Sequence, residues 1–482
     1  MSRRRTVWIL ISIILAGAVL RLFHLGLQSL WHDEAVSLAI ADRLNLAEKL
    51  TNQGHSSHPP LYYLLLWRWI RLAGISDFTA RIPSTLAGLL TIPLIYQAGR
   101  LLFDRRVGIW SALFMAVLPF QIYYAQEVRM YTLLGMLTTV SLIFFVRAIR
   151  RNTWQMWGAY WFCSILGLYT HYFFAFIILV YHLYLWLNWL KYRHLWRAIL
   201  IIDGILFLAF LPQIAIFIDQ SQNVLGSSYW LGKPNPLAFF TTIYFFFVSY
   251  TVPPQWNFGG MFVLLSLLAT GLYELIRRPR GNQRSLGLLV MGAFLPLLAA
   301  LAISQIKPIF LERTLIICTP FLILLLGRMV SGNHFRSPVP YLTLILGLFV
   351  VISLYRLYFD STTHKPPLRQ TADQIASEFR LGDMAIHTSV GSFLPFLFYN
   401  PPADHYLLWG EPHPRKPAET YELFEGRVAE RETVNDYQRI WLVVFLDHSV
   451  QYQRTQVGWF DDRLVLLKNY DIDGVVVRLY SH

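Results

Sequence analysis

Two cysteines among 482 residues, Cys163 and Cys318, both inside apolar runs, provide neither a disulfide framework nor a cysteine-based zinc cluster. Charge is also scarce. Only 14% of residues are Asp, Glu, Lys or Arg, where a soluble domain carries roughly a quarter, so most of this surface faces something other than water. Carboxylates are scarcest: up to Tyr358 there are 11 Asp/Glu against 29 Lys/Arg, and after it 17 against 12. The basic excess belongs to the apolar part, where cytoplasmic loops collect Lys and Arg. The net charge of +13 is therefore no sign of nucleic-acid binding. No internal repeat, low-complexity tract or GxxxxGK[ST] phosphate cradle occurs.

Hydrophobic residues fill the chain instead, at 55%, of which aromatics make up a large part at 16% of all residues. Apolar segments lie near 6–26, 81–103, 107–125, 130–149, 155–172, 173–190, 197–218, 257–276, 285–304, 314–330 and 338–358. About 20 such residues cross a bilayer as helix. Alternate connections are basic: Arg3–Arg5, Arg100/Arg105/Arg106, Arg147/Arg150/Arg151, Lys191/Arg193/Arg197, Arg277/Arg278/Arg280/Arg284 and Arg328/Arg336. With these on the cytoplasmic side, the chain is a mainly α, polytopic membrane protein with eleven spans, N-terminus inside and C-terminus outside. The segment Thr6–Leu25 reads as an uncleaved first helix rather than a signal peptide. Pro59–Ala73 and Leu237–Tyr250 are short for spans and read as helices along the outer face. If both cross, the count is thirteen.

After about Lys365 polar and apolar residues mix. Met384–Thr388, Ile440–Leu446, Leu464–Leu467 and Val475–Leu479 are predicted strands, Arg369–Phe379 an amphipathic helix, and Asp471–Gly474 a hairpin turn. The expected division is a membrane domain over 1–358, with its first outer loop at 27–80, and a small α/β outer domain over 359–482.

Charges near a bilayer are expensive and usually functional. Asp33, Glu34, Glu127 and Glu312 fall at outer helix ends, as do Arg81, Arg129, Lys307 and Arg313. In "LWHDEAVS" the adjacent Asp33 and Glu34 suit a general base, and Asp33 equally suits the cap of a helix running from Ala35. "HSSHPPLYYLL" places His58, after His55, at a rigid helix start, where it is either a cap or a contact to substrate or metal. "YYAQEVRMY" gathers Gln126, Glu127, Arg129 and Tyr131 in one short turn. Arg81 in "ARIPS" and Arg313 in "FLERT" add cations whose forked donors match a phosphate, although each alone also suits snorkelling to headgroups. A carboxylate base with several cations at headgroup level suits a reaction on a lipid-linked phosphate with a hydroxyl acceptor. Without a phosphate cradle, a nucleotide sugar or ATP is not the expected donor.

Through "LWHDEAVS", "HPPLYYLLL", "RIPSTLAGLL", "GRLLFDRRVG" and "YYAQEVRMYTLL", the chain resembles the bacterial relatives of protein O-mannosyltransferases. These include lipopolysaccharide galacturonosyltransferases and lipid A aminoarabinose transferases. "LERTLIICTP" and "KPPLRQTADQI…GDMAI" extend the likeness more weakly. The resemblance implies a GT-C helical bundle with the active site in a long first outer loop. It also implies an inverting transfer of a hexosyl or pentosyl unit from a polyprenyl-phosphate monosaccharide to a lipid, glycan or protein hydroxyl, at the periplasmic face of a bacterial inner membrane. Asp33 would be the base, with Glu34 beside it, and Arg81 would meet the donor phosphate. Arg129, Arg313 and, more weakly, Lys307 are further phosphate candidates, with Gln126, Glu127, Tyr131 and His58 around the sugar. "YTHYFF" adds His171, which either touches substrate or is structural. Two departures stand out. His58 stands where aminoarabinose transferases carry Lys, and Thr314 follows Arg313 where relatives carry Tyr. No cofactor is implied with certainty; relatives differ in divalent-metal use. A transporter or flippase of lipid-linked sugars, or a non-catalytic polysaccharide assembly subunit, is the alternative. Transporters show repeats and sites near the midplane, which are not seen here.

Overall fold

All eleven long apolar segments are helical in the computed structural model of the chain, which describes residues 2–51, 58–225, 231–277, 283–332, 337–399, 402–408, 427–445 and 450–482. His55, Arg278, Arg280 and Arg336 lie outside the described residues. The helices are Arg3–Leu22, Ile82–Leu102, Arg105–Val117 with Pro119–Ala125, Tyr131–Arg151, Trp154–Thr170, Phe174–Leu187, Trp196–Leu225, Asn257–Arg277, Gln283–Ser304, Thr319–Val330 and Val339–Phe359. Among the described residues, seven helices are long and apolar enough to cross a membrane, or eight if Arg105–Val117 and Pro119–Ala125 form one broken span. Phe174–Leu187 and Thr314–Val330 are apolar but shorter. Leu61–Ala73 and Ala238–Val248 are helices of 13 and 11 residues. At 1.5 Å per residue they reach roughly 20 Å or less, short of a hydrocarbon core of about 30 Å.

The chain divides into two compact units. The first comprises Met1–Phe23, Ser57–Tyr62 and Arg81–Thr363. Its helices approach closely where side chains are small. A Cβ on Gly99 would lie 2.8 Å from the Cα of Gly108 in the next helix, so the pair admits nothing larger.

The break after Val117 has a clear cause. The chain bends by 57° between Arg105–Val117 and Pro119–Ala125. Pro119 has no N–H to offer the carbonyl of Met115, four residues back. Arg21, fully buried in the last turn of the first helix, supplies the missing donors. Its Nη2 donates to Met115 O at 2.7 Å, and its Nη1 donates to Ala116 O at 2.9 Å and Gly17 O at 3.2 Å. The last carbonyls of the first helix are satisfied in turn. Tyr358 Oη donates to Leu20 O, and Gln126 Nε2 donates to Arg21 O at 3.0 Å and Phe23 O at 2.8 Å.

The second unit comprises His24–Ser56, Tyr63–Ala80 and His364–His482. Its six-stranded sheet contains β1 (Asp383–His387), β2 (Asp404–Leu407), β3 (Arg427–Val428), β4 (Arg439–Val444), β5 (Val465–Ile472) and β6 (Val475–Ser481), in the order β3-β2-β1-β4-β6-β5. β1 to β4 pair parallel; β6 runs antiparallel to β4 and β5. Alternation along the strands sends Met384, Ile386, Ile440 and Leu442 to one face, with Phe460 of the helix Val450–Asp461. Ala385, Trp441, Val443 and Val477 go to the other, under Leu368, Ile375 and Phe396 of the helices Leu368–Glu378 and Val390–Tyr399. With both faces covered, every residue of β1 is buried, as parallel central strands require. The expected hairpin is present: Ile472 pairs with Val475, and Asp473 and Gly474 take φ of 45° and 88°. Positive φ at both positions is the type I′ geometry that follows strand twist.

Candidate active site

The motifs of the first unit form one structure. Arg81 immediately precedes the helix Ile82–Leu102, whose first turn contains Pro83. Ser84 Oγ donates to Arg129 O at 2.9 Å, so the single hydroxyl proton is used and Tyr62 Oη is the donor to Ser84 Oγ at 3.0 Å. Thr132 Oγ1 donates to Ser84 O at 2.9 Å, and Thr85 Oγ1 donates to Ala125 O at 2.8 Å. The "RIPST" and "AQEVRMYT" segments are thereby pinned to each other, which sets Arg81 and Arg129 on one hydrogen-bonded frame. Arg81, Glu127, Arg129 and Tyr131 are all buried, an unusual concentration of ionisable groups.

Tyr131 is shared by two cations. The guanidinium carbons of Arg129 and Arg313 lie 5.6 Å and 5.8 Å from its ring centroid, within cation–π range. His171 is buried, its ring 4.9 Å from that of half-buried His58. Its Nδ1 accepts the N–H of Phe173 at 3.1 Å, so a neutral His171 carries its proton on Nε2. The structure thus groups Arg129, Tyr131 and Arg313, ties Arg129 to the Arg81 segment, and pairs His58 with His171. The amide nitrogen of Gln126 holds the end of the first helix. Lys307 is exposed just after the helix Gln283–Ser304.

Asp33 and Glu34 belong to the second unit. The helix there runs His32–Arg43 with Trp31 as its N-cap residue. Asp33 is therefore in the first turn and is not the cap that the sequence suggested. Glu34 makes the reciprocal contact instead, with Oε2 accepting the Trp31 N–H at 3.3 Å. Consecutive helical residues project about 100° apart, so the two carboxylates meet different surroundings. Glu34 is fully buried while Asp33 is half-buried. Lys365 Nζ donates to Glu34 Oε2 at 2.9 Å, with side-chain exposures of 9% and 0%. It also stands 5.9 Å from the Trp31 ring.

The segment before this helix is bound by residues far along the chain. Lys365 N donates to Gln28 Oε1 at 3.1 Å, Arg369 N to Ser29 Oγ at 3.1 Å, and Leu30 N to Tyr399 Oη at 2.6 Å. Arg369 Nη1 donates to Asp77 Oδ2 at 2.7 Å and Tyr399 Oη to Asp77 Oδ1 at 2.7 Å. The catalytic-loop candidate and the C-terminal segment are thus parts of one hydrogen-bonded unit.

Residues 57–215 match the family model described as dolichyl-phosphate-mannose-protein mannosyltransferase. The crystal structure of ArnT from Cupriavidus metallidurans in the apo state aligns with a TM-score of 0.67 at 13% identity, over 98% of this chain and 97% of that one. The chain has the GT-C glycosyltransferase fold. ArnT bound to undecaprenyl phosphate aligns at 0.61 and 14% identity, over 99% and 98%. The archaeal oligosaccharyltransferase AglB from Archaeoglobus fulgidus, in complex with an inhibitory peptide and a dolichol-phosphate, aligns at 0.53 and 9%, over 98% and 74%. At such identities the likeness is one of fold. Among curated proteins no significant sequence match is found.

Within this GT-C chain, sequence reasoning did not single out Arg21, Asp77, Lys365, Arg369 or Tyr399. Arg21 carried a legible signal, a lone cation inside the first apolar run with a Pro inside another. Lys365 and Glu34 are 331 residues apart, and no local pattern links them. Among the described residues, no group of three His, Cys, Asp or Glu side chains is arranged to hold a metal ion.

Proposed function

We propose that this chain is an inverting glycosyltransferase that moves a hexosyl or pentosyl unit from a polyprenyl-phosphate donor to a hydroxyl of a lipid, glycan or protein. It would work at the periplasmic face of a bacterial inner membrane, with the N-terminus cytoplasmic and the C-terminal domain outside. The observation that carries this reading is the cation group, buried Arg129 and half-buried Arg313 on Tyr131 with buried Arg81 on the same frame. Arginines gathered in this way suit a phosphate, which accepts their forked donors. The fold supports the same reading, since structures sharing it were solved with undecaprenyl phosphate and with a dolichol-phosphate.

In the proposed step, Asp33 takes the proton of the acceptor hydroxyl as that oxygen attacks C1 of the sugar. A C1–O bond forms on one face while the C1–O bond to phosphate breaks on the other, which inverts the anomeric centre. The electron pair leaves with the lipid phosphate, and Arg81, Arg129 and Arg313 stabilise its growing charge. Glu34 and Glu127 position these groups.

The test is Asp33→Asn in purified full-length protein. It is given undecaprenyl phosphate carrying labelled mannose, galacturonate or aminoarabinose in turn, with native membrane acceptors. Wild-type protein is expected to release undecaprenyl phosphate with at least one donor; Asp33→Asn should lose at least 100-fold with an unchanged melting temperature. Unchanged turnover in Asp33→Asn removes the base assignment. A wild type that moves intact donor across vesicles without releasing lipid phosphate is a flippase.

A further inference from the structure

The two acidic residues of the first loop do not have equivalent surroundings, and the difference comes from the far end of the chain. Glu34 faces inward, fully buried, with one oxygen held by the Trp31 N–H and by Lys365 Nζ. Asp33, about 100° further round the same helix, is half-buried. A carboxylate removed from water without a partner either protonates or distorts its surroundings. Lys365 removes both options, because it brings a positive charge into contact with Glu34 and is itself almost fully enclosed. The lysine is held in turn. Its backbone N–H is fixed to Gln28, Pro366 and Pro367 restrict the chain after it, and the helix Leu368–Glu378 follows at once with Arg369 on Ser29 and Asp77.

We propose that Lys365 is a positioning residue for the transfer reaction: it holds Glu34 in an enclosed ion pair, so that Asp33, the less buried of the two carboxylates, is the one that serves as base. This rests on the function proposed above. It adds that the C-terminal segment, which no reading of the first loop by itself would include, sets which carboxylate reacts. A neutral side chain at 365 leaves Glu34 charged and unpartnered by Lys365 beside Asp33. The helix start that orients Asp33 is then pulled out of place. Replacing both members of the pair by neutral residues removes the stranded charge while Gln at position 34 still reaches the Trp31 N–H.

The experiment measures kcat and KM for release of undecaprenyl phosphate, with the donor of the three above on which wild-type protein is active, together with the melting temperature. The variants are Lys365→Met, Lys365→Arg and the double change Lys365→Met/Glu34→Gln, all in the full chain. Lys365→Met is expected to lower kcat at least 10-fold per folded molecule, with KM for the donor within twofold. Lys365→Arg should recover most of the loss, and the double variant should be at least threefold more active than Lys365→Met. Three results would overturn the proposal: an unchanged kcat in Lys365→Met; a KM increase with kcat preserved, which marks Lys365 as a donor ligand; or a lower melting temperature with unchanged kcat, which marks it as structural only. A double variant no better than Lys365→Met also refutes the stranded-charge mechanism. If wild-type protein releases lipid phosphate from none of the three donors, the functional proposal itself fails. An active wild type with an indifferent Lys365 fails only this inference.

Discussion

Replacing Arg21 by Met tests whether one buried guanidinium holds the broken helix. The substitution keeps the length of the apolar stem and deletes donors to Met115 O, Ala116 O and Gly17 O. Gly17 lies in the same helix and is the least affected. The carbonyls of Met115 and Ala116 lose their donor from across the helix interface, and each unsatisfied buried carbonyl costs about 1–3 kcal/mol. Removing a buried cation regains part of its desolvation, so the net loss is roughly 2–4 kcal/mol. For a chain of 482 residues that corresponds to about 2–4 °C in apparent melting temperature, measured in detergent at one scan rate. The decisive arm adds Pro119→Ala. Alanine has the N–H that Pro119 lacks and can bond Met115 O within its own helix, so in the Arg21→Met background it should recover about 1 kcal/mol. The same change with Arg21 in place should give no such gain. A coupling of this sign is what contacting residues show in a double-mutant cycle. If Arg21→Met melts within 1 °C of wild type, or the two changes are additive, the assignment of Arg21 to the break is wrong.

Three further outcomes are expected. Arg129→Lys and Arg313→Lys keep the charge but lose the planar fork, and each should lower turnover about 10-fold, near 1.4 kcal/mol of transition-state stabilisation, in the lipid-phosphate release assay; unchanged rates would remove them from the phosphate site. His387 of β1, bonded to Ser392 Oγ at 3.3 Å and His405 Nδ1 at 3.0 Å, is held well below the usual histidine range by burial and then by His405. Its unfolded form protonates first, so its contribution to stability is complete above about pH 6.5 and is lost as pH falls below that, at up to about 1.4 kcal/mol per unit; amide exchange across β1 should accelerate accordingly in the full chain, and His387→Asn should flatten that dependence. His182 Nε2 and Asp203 Oδ2 pair at 2.8 Å between two apolar helices, about one-third exposed; Asp203→Ala should cost about 0.6–1.7 kcal/mol of apparent stability and Asp203→Asn less than half of that, by thermal shift, and equal effects would deny the pair a role.

The apolar segments were legible because a helix in hydrocarbon must satisfy its backbone within itself, which writes some 20 apolar residues into the chain. Most of their boundaries agree with the helices to within a few residues, as at 81–103 against Ile82–Leu102, while the helix Trp196–Leu225 runs well past the expected 218. The break at Pro119 was not read from the same pattern, because composition continues through it. In the C-terminal segment four strands were visible from their alternating or β-branched runs. The four-residue β2 and the two-residue β3 are too short to show a period. The helix Val390–Tyr399 was hidden by Pro395 and by being apolar all round. At the site, residue types were readable one motif at a time: Arg81, Arg129 and Arg313 as cations at helix ends, Asp33 and Glu34 as adjacent carboxylates.

By itself the sequence determined chemistry and span: which stretches are apolar enough for a bilayer, which few residues are charged among them, and which family the ordered motifs resemble. Those properties are local, since each is set by residues within a turn or two of one another. Tertiary structure alone decided which charges have partners. Arg21 became a cap for a helix more than ninety residues away, Gln126 became a clasp on the first helix, and Glu34 became half of an enclosed pair with Lys365. The reason is physical: a charge away from water is tolerable only beside a complementary group, and packing, which brings distant segments together, chooses that group.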